Sequence, residues 1–258
     1  MNIQWEKITD STNLDAWRGR ASAQDGTVWC AEFQTAGRGQ RGNRWESRMG
    51  ENLMFSILFK PLALRAADQF VLSEVCAVGV VRYLRGKGLD RLSVKWPNDV
   101  YIGDRKVCGM LLENTLKDDT LAVCIAGIGL NVNQRSFPPE LPNPTSMVLE
   151  MESAGGCIHV PDLDVRSELP LLLEEIFSLY RNMGRDGQVP GLEEEYGRLL
   201  YRKGVPSEFE ETEYFTGGES RVFTGTILGV DRKDARLLVE HEDGRVVKYY
   251  FKEIRYLL

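Results

Sequence analysis

The chain has 258 residues, which is long enough for one large domain with a small second one. Hydrophobic residues make up 43% and charged residues 27%, as in folded globular proteins and unlike disordered chains. Acidic residues outnumber basic ones by 38 to 32, and the net charge of −6 argues against a general binder of nucleic acid or of anionic membranes.

The numbers of histidines and cysteines limit the types of catalysis and the cellular compartments that are plausible for this protein. Only two histidines are present, which disfavours histidine-based triads and His-rich metal sites. The five cysteines are an odd number, lack a Cys-x-x-Cys pair and sit mostly in apolar surroundings, as free thiols do in a reducing compartment. Residues 1–10 contain no apolar signal core, and the longest uncharged stretch, 121–134, is too short to span a bilayer. We therefore predict a cytoplasmic protein without a membrane anchor.

The first 150 residues combine strand-like runs with helical patterns, which predicts a layered core of helices on a sheet. Ser11, Thr12 and Asn13 precede a helical stretch that begins near Leu14, and such residues are typical of a helix N-cap. A turn at 96–99, one at 103–104 and one at 117–119 separate the later strands, and because two of them have hairpin length we expect a largely antiparallel or mixed sheet. The patterns predict strands at 27–34, 52–59, 92–95, 106–113 and 121–133, and a helix at 66–84.

The second half of the chain changes character near Lys203. Before it, residues 163–182 and 191–201 have helical patterns and are expected to pack on one side of the sheet. After it come short strands with an Asp243-Gly244 hairpin turn, which favours a small SH3-like barrel. We therefore predict an α+β protein, with a mixed sheet and helices in a domain of residues 1–202 and a C-terminal barrel in residues 203–258.

Residues 34–48 form a basic, glycine-rich segment within this acidic chain. They contain four arginines and one glutamate, a local charge of +3. Their glycines disfavour a helix and let the backbone approach a ligand, while arginine offers paired donors to carboxylate or phosphate. The segment lacks the Gly-Lys-Ser/Thr of a P-loop, and no helix follows it as in a dinucleotide fingerprint. A solvated surface loop is the alternative interpretation.

Lys95 stands at the end of a predicted strand, directly before Trp96-Pro97-Asn98-Asp99. Alternation places Lys95 and Ser93 on the face opposite Leu92 and Val94, and the proline fixes the turn. An isolated lysine at a strand end is usually solvated. Beside a second anion-binding segment, however, this one is better interpreted as a ligand for phosphate or carboxylate.

A third pattern puts Gly127, Gly129, Asn131 and Asn133 on one strand face, opposite apolar residues. Glycines followed by amides can form a shelf on which a flat ring or a ribose lies against backbone. Gly109, in another predicted strand, could belong to the same shelf. Close packing of a strand or helix on the glycines is the alternative.

These motifs together resemble those of the biotin protein ligases. In chain order they are Ser-Thr-Asn, Gln-x-x-Gly-Arg-Gly-x-x-Gly followed by Trp, Lys-Trp-Pro-Asn-Asp, Lys-x-x-Gly-x-Leu-x-Glu and Gly-x-Gly-x-Asn-Val, between residues 11 and 133. The resemblance implies a mixed-sheet catalytic domain followed by an SH3-like domain. It also implies a two-step reaction, in which biotin and Mg²⁺-ATP form biotinyl-AMP and biotin is then transferred to a lysine of a biotin carboxyl carrier domain.

The resemblance also assigns roles to individual residues. It implies that Arg38 and Lys95 are catalytic, that both contact biotin and the adenylate, and that Trp45 covers the adenine while Asn131 bonds to the nucleotide. Arg41 is implied to bind the adenylate, and the segment is expected to close over it because a mixed anhydride exposed to water would hydrolyse. Gln40 and Asn43 replace arginines found in some relatives, which bears on how firmly the adenylate is retained. Biotin itself is implied to contact Ser11, Thr12, Asn13, Gln34, Gly37, Gly39 and Gln40.

The resemblance to biotin protein ligases also suggests partners and alternative functions. Because the Ser-Thr-Asn segment begins at residue 11, we expect no N-terminal DNA-binding domain and no DNA partner. Pairing at a sheet edge near residues 106–133 could give a homodimer. One rival is a lipoate or octanoate ligase of the same superfamily, which the Gly-Arg-Gly and Lys-Trp-Pro-Asn-Asp motifs disfavour. Another is a non-catalytic biotin-binding sensor, which the presence of Arg38, Lys95 and Asn131 together disfavours.

Overall fold

The computed structural model describes residues 1–39, 44–156 and 159–257, which contain two β-sheets and six α-helices. A short 3-10 turn, Ala66–Asp68, precedes the second helix. The strands are β1 Ile3–Thr9, β2 Val28–Gln34, β3 Leu53–Phe59, β4 Leu92–Lys95, β5 Asp99–Ile102, β6 Arg105–Lys117, β7 Thr120–Leu130, β8 Pro206–Glu211, β9 Arg221–Asp231, β10 Arg236–His241, β11 Val246–Tyr249 and β12 Ile254–Tyr256; the helices are α1 Thr12–Gly19, α2 Phe70–Gly86, α3 Met147–Ala154, α4 Val165–Arg181, α5 Leu192–Leu199 and α6 Glu213–Thr216.

The large sheet has the strand order β1-β2-β3-β7-β6-β5-β4. Its β1 and β2 are parallel and its other neighbours antiparallel, so the predicted mixed sheet is confirmed. The edge strand β1 was not predicted from the sequence, and neither was β5. The turn predicted at 96–99 is shorter, because Asp99 already pairs with Gly109 as the first residue of β5.

The two faces of this sheet carry different side chains, because neighbouring residues of a strand point in opposite directions. Phe55, Ile57 and Phe59 lie in the main apolar core with residues of α2, α4 and α5, so the prediction that the later helices share one side of the sheet is confirmed. On the opposite face, α1 covers a small cluster that includes Leu58 and Ile125. Beyond the start of α1 this second face continues with small side chains, and there the sheet leaves room for a cavity.

The C-terminal sheet has the strand order β11-β10-β9-β8-β12, with every neighbouring pair antiparallel. It confirms the predicted small C-terminal β fold, including the hairpin turn at Asp243 and Gly244. It contacts the rest of the chain through a hydrogen bond from Trp96 Nε1 to the Ala235 carbonyl at 2.9 Å. An ion pair between Arg232 and the buried Glu74 of α2, at 2.8 Å, is a second contact. The domain boundary at residue 202 stays a prediction.

Several boundaries differ from the sequence prediction. The helix predicted at 66–84 is divided into the 3-10 turn and α2, and the unpredicted α3 follows a loop. The strand predicted at 121–133 ends at Leu130. Among the described residues no helix is long and apolar enough to cross a bilayer. Four cysteines are free and buried as predicted, namely Cys30, Cys76, Cys108 and Cys124, while Cys157 lies outside the described residues.

Candidate active site

A cavity of about 640 Å³ opens on the face of the large sheet that α1 covers only in part. Its walls come from the start of α1, the ends of β2 and β4, the glycines of β6 and β7, a loop at 137–144 and the last strand, β12. Gly37 is buried but does not line it, and Gln40 and Arg41 lie outside the described residues. The cavity brings together nine predicted site residues: Ser11, Thr12, Asn13, Gln34, Arg38, Gly39, Trp45, Lys95 and Asn131.

A hydrogen-bond network fixes the polar end of the cavity. Gln34 Oε1 accepts from the backbone N–H of Thr12 at 2.8 Å and from its hydroxyl at 3.2 Å. Ser56, buried on β3, donates to Asn13 Oδ1 at 2.6 Å. Ser11 occupies the N-cap position of α1, as predicted, although its side chain makes no capping hydrogen bond. Ser11 also lines the cavity.

Glu113 on β6 connects this network to the basic segment. Its carboxylate accepts from Asn13 Nδ2 at 2.9 Å and from Trp17 Nε1 at 3.2 Å, both on α1. It also pairs with the guanidinium of Arg38 through two contacts of 3.0 and 3.2 Å. Glu113 is the last residue of the Lys-x-x-Gly-x-Leu-x-Glu motif, but no role was predicted for it. Glu113 thus holds Arg38 beside the start of α1.

Lys95 has surroundings of a different kind. Its Nζ lies 3.3 Å from the Tyr101 hydroxyl, 5.1 Å from the Tyr101 ring centroid and 4.7 Å from the ring centroid of Tyr256 on β12. Among the described residues no carboxylate lies within 4.0 Å of it, and the nearby Asp99 instead pairs with Lys106 at 2.8 Å. Burial lowers the pKa of Lys95 to about 8, against the opposing effect of Asp99. Lys95 therefore faces the cavity as a desolvated cation that makes no ion pair with any carboxylate of the described residues.

The glycine face of β6 and β7 forms the predicted shelf, and the protein's own side chains cover it. A Cβ on Gly127 would overlap Asn13 of α1, so helix packing, the alternative interpretation, holds at this position. A Cβ on Gly129 would overlap the indole of Trp45, and one on Gly109 would come within 3.0 Å of it. Trp45 Nε1 is buried and has no hydrogen-bond partner among the described residues. The flat ring on the shelf is thus a tryptophan of the basic segment.

The two asparagines that follow β7 occupy different positions relative to the cavity. Asn131 lines the cavity, where its Nδ2 donates to the Thr145 carbonyl at 2.9 Å. Its Oδ1 is buried and lacks a hydrogen-bond donor among the described residues, so it can accept one from a ligand. Asn133 does not line the cavity, because it bonds in both directions to the backbone of Leu163. The predicted shared face does not extend this far, since β7 ends at Leu130.

Several lining residues were not predicted from the sequence. Lys106 carried a signal, because it opens the same motif that ends at Glu113. Tyr101 and Tyr256 carried none, since single aromatic residues in strands are usually core residues. The prolines at 142 and 144 marked the 137–144 segment as a loop without saying that it would border the cavity.

With this geometry established, known proteins give a consistent comparison. A sequence model of the biotin/lipoate A/B protein ligase family matches residues 5–133. The bifunctional ligase/repressor BirA of Escherichia coli is 30% identical over 254 residues, which cover 96% of this chain and 71% of that protein. The chain belongs to the biotin/lipoate A/B protein ligase family.

Within this family, the predicted resemblance to biotin protein ligases is confirmed, and with it the enzyme class, a ligase. The biotin–[acetyl-CoA-carboxylase] ligase of Paracoccus denitrificans is 35% identical over 127 residues, 48% of this chain and 52% of that protein. The chain therefore matches about half the length of that relative. The biotin protein ligase of Aquifex aeolicus, solved in complex with biotin and ATP, superposes with a TM-score of 0.75 and 28% identity over 99% of both chains.

Proposed function

We propose that this family member uses ATP to convert biotin to biotinyl-AMP and then transfers the biotinyl group to a lysine of a biotin carboxyl carrier domain. In the first step a carboxylate oxygen of biotin bonds to the α-phosphorus of ATP, and pyrophosphate leaves. In the second step the amine of the acceptor lysine attacks the acyl carbon of biotinyl-AMP. An amide forms, AMP leaves and the amine loses a proton.

The observation that carries this proposal is the state of Lys95 in the cavity. Both reactants of the first step are anions, so the protein's main task is to lower their repulsion and align them. The ammonium of Lys95 is desolvated and has no carboxylate partner among the described residues, so an incoming carboxylate or phosphate meets its charge in a medium of low polarity. At pH 7 the amine is mostly protonated, since its pKa is about 8. Lys95 is thus prepared for an anion before one binds.

The remaining cavity residues fit the other parts of the two substrates. Hydroxyl and amide groups at the start of α1, together with Gln34, can hydrogen-bond a polar head such as the ureido ring of biotin. Trp45 offers an indole face and Asn131 a free carbonyl oxygen, which suit a purine and its donors. Arg38, kept nearby by Glu113, can reach the phosphate that joins the two halves of the adenylate.

Mg²⁺ enters this scheme as part of the substrate Mg²⁺-ATP. The described residues contain no group of three or more His, Cys, Asp or Glu side chains that could hold a metal ion by themselves. The triphosphate would therefore supply most of the ligands of the ion. Buried reduced cysteines fit a cytoplasmic setting for the enzyme, and a homodimer through a sheet edge stays a prediction.

The direct test supplies the full-length protein with Mg²⁺-ATP and biotin and measures release of pyrophosphate. A second reaction adds a biotin carboxyl carrier domain and measures biotin on its acceptor lysine. We expect pyrophosphate in the first reaction and biotinylated carrier in the second. Replacing the acceptor lysine should abolish only the biotinylated carrier, whereas omitting ATP should abolish both products. Lipoate and octanoate, tested in parallel, separate this function from that of the related acyl ligases. Pyrophosphate release with lipoate but not with biotin would replace the proposal, and biotin binding without either product would make the protein a sensor.

A further inference from the structure

The aromatic cover of Lys95 comes from two separate parts of the fold. Tyr101 belongs to β5, the neighbour of β4 in the large sheet, and its hydroxyl lies 3.3 Å from the lysine amine. Tyr256 belongs to β12 of the C-terminal sheet, and its ring centroid lies 4.7 Å from the same amine. An ammonium within about 6 Å of an aromatic face is attracted by the ring quadrupole, more strongly when water is excluded. The final strand of the chain therefore completes the surroundings of a residue at position 95.

Tyr256 is itself held by packing on both sides. Its ring lies 5.2 Å from that of Phe209 on β8 and 6.0 Å from that of Tyr201, which in turn lies 5.3 Å from Tyr101. Its backbone pairs with Phe209 through the contact of β12 with β8. Its hydroxyl is buried without a hydrogen-bond partner among the described residues. The ring thus has one fixed position, from which it covers Lys95.

We propose that Tyr256 is a positioning residue for Lys95: its ring keeps water from the ammonium and holds it at the cavity until an anion binds. This inference rests on the proposed function for its link to turnover. It assigns to the C-terminal sheet a direct contribution to the site, made by one side chain. The Tyr256 ring contributes by contacting Lys95, and this role does not require Tyr256 to contact the reacting atoms.

The charges around Lys95 define what else could set its protonation. The groups that act on it are Asp99 on β5, Lys106 on β6 and Arg202 beyond α5, together with the two tyrosines. Asp99 favours the charged form, while Lys106 and Arg202 oppose it. Burial is the largest cause of the lowered pKa, so removal of a covering ring should raise that pKa.

The test compares Tyr256→Phe with Tyr256→Ala in the full-length protein. Trace labelling of amines with an acid anhydride, followed by peptide mass spectrometry across a range of pH, gives the pKa of Lys95 without any need for activity. We expect Tyr256→Phe to match the parent protein, because the ring remains. In Tyr256→Ala the pKa should rise from about 8 toward the ordinary 10.5, and the rate of biotin-dependent pyrophosphate release should fall about tenfold. Tyr214→Leu, at an exposed tyrosine of the C-terminal part, is the matched control and should change neither quantity.

Folding of each variant is checked by thermal unfolding. If Tyr256→Ala does not fold, Tyr256→Leu keeps apolar packing against Phe209 and should still lower the rate about tenfold, while Tyr256→Phe stays within about twofold of the parent. An unchanged Lys95 pKa and rate in folded Tyr256→Ala would overturn the inference, as would a loss in Tyr256→Phe equal to that in Tyr256→Ala. Since labelling requires no turnover, a shift of the pKa in a protein that makes no biotinyl-AMP would support the positioning contact and refute the proposed function alone.

Discussion

Arg38 and Lys95 bring the same charge to one cavity under opposite conditions. Arg38 stands on a glycine-rich segment, has an exposed side chain, and pairs with Glu113 through two contacts. Lys95 stands at the end of a strand between two aromatic rings, with no carboxylate within 4.0 Å among the described residues. The charge of Arg38 is already compensated by an ion pair near solvent, whereas Lys95 is desolvated and has no ion pair with a described carboxylate.

This difference indicates how the two residues respond to an anion. A ligand that binds Arg38 either shares or replaces Glu113, so part of the attraction is offset by the lost ion pair. A ligand that binds Lys95 displaces no carboxylate of the described residues, and it also relieves the cost of keeping an ammonium away from water. Lys95 therefore contributes more electrostatic free energy, and Arg38 contributes direction and a link to α1. Each prediction below changes one side of this comparison.

The largest effect is expected from removal of the uncompensated cation. Lys95→Ala should lower the rate of biotinyl-AMP formation by about 10²–10³, the usual effect of losing one donor aimed at developing charge. The rate is measured as pyrophosphate release with saturating substrates. Thermal unfolding should show no loss of stability, because the replacement removes a desolvated charge. A fall of less than about threefold would contradict the central place given to Lys95.

A change of pH alters the same charge without a mutation. Since the pKa of Lys95 is about 8, the amine is protonated below that pH and loses its charge above it. A bound anion raises this pKa, so affinity for biotin or an adenylate analogue should be constant near pH 7 and fall by up to about tenfold per unit above pH 8. Calorimetric titration across this pH range measures the affinity. Lys95→Arg, which stays charged, should remove the dependence, and an equal fall in that variant would assign it to another group.

The contact between Trp45 and the shelf tests how the basic segment is held. In Gly129→Ala the added methyl group would overlap the indole, which must then move away from β7. We expect nucleotide affinity to fall about tenfold, because a displaced tryptophan can no longer cover the ring. Gly229→Ala in β9 is the matched control, since no atom lies within 4 Å of a Cβ there. Equal nucleotide affinity in the two variants would separate Trp45 from nucleotide binding.

The smallest effect is expected where the charge is already compensated. Glu113→Gln weakens the pair with Arg38 but keeps an acceptor for Asn13, and partly exposed pairs are worth little. The apparent KM for biotin should rise about threefold, with a smaller change in turnover. Glu174→Gln, which breaks the exposed ion pair with Arg181, should change neither quantity. A hundredfold loss of turnover in Glu113→Gln would show that Arg38 depends on Glu113 far more than its exposure implies.

The local chemistry could be read from the sequence, because motifs are contiguous and alternation is a property of single strands. The sequence located the basic segment, the lysine before the Trp-Pro turn and the glycine face of β7, and nine of the predicted residues line one cavity. The prediction failed where an element ended, since Asn133 lies past the end of β7 and does not share the glycine face.

Contacts between residues far apart along the chain became evident only from the folded arrangement. Glu113 contacts Arg38, which is 75 positions away in the sequence. Tyr256 of β12 contacts Lys95 of β4. Pairs so far apart are brought together by strand order and by the packing of the two sheets, which no local pattern encodes. The physical difference between the two cations arises in the same way, since compensation and desolvation depend on neighbours in space. Both charges are properties of the sequence, whereas the fold determines that Arg38 pairs with Glu113 and that Lys95 has no carboxylate within 4.0 Å in the part of the chain that the structure describes.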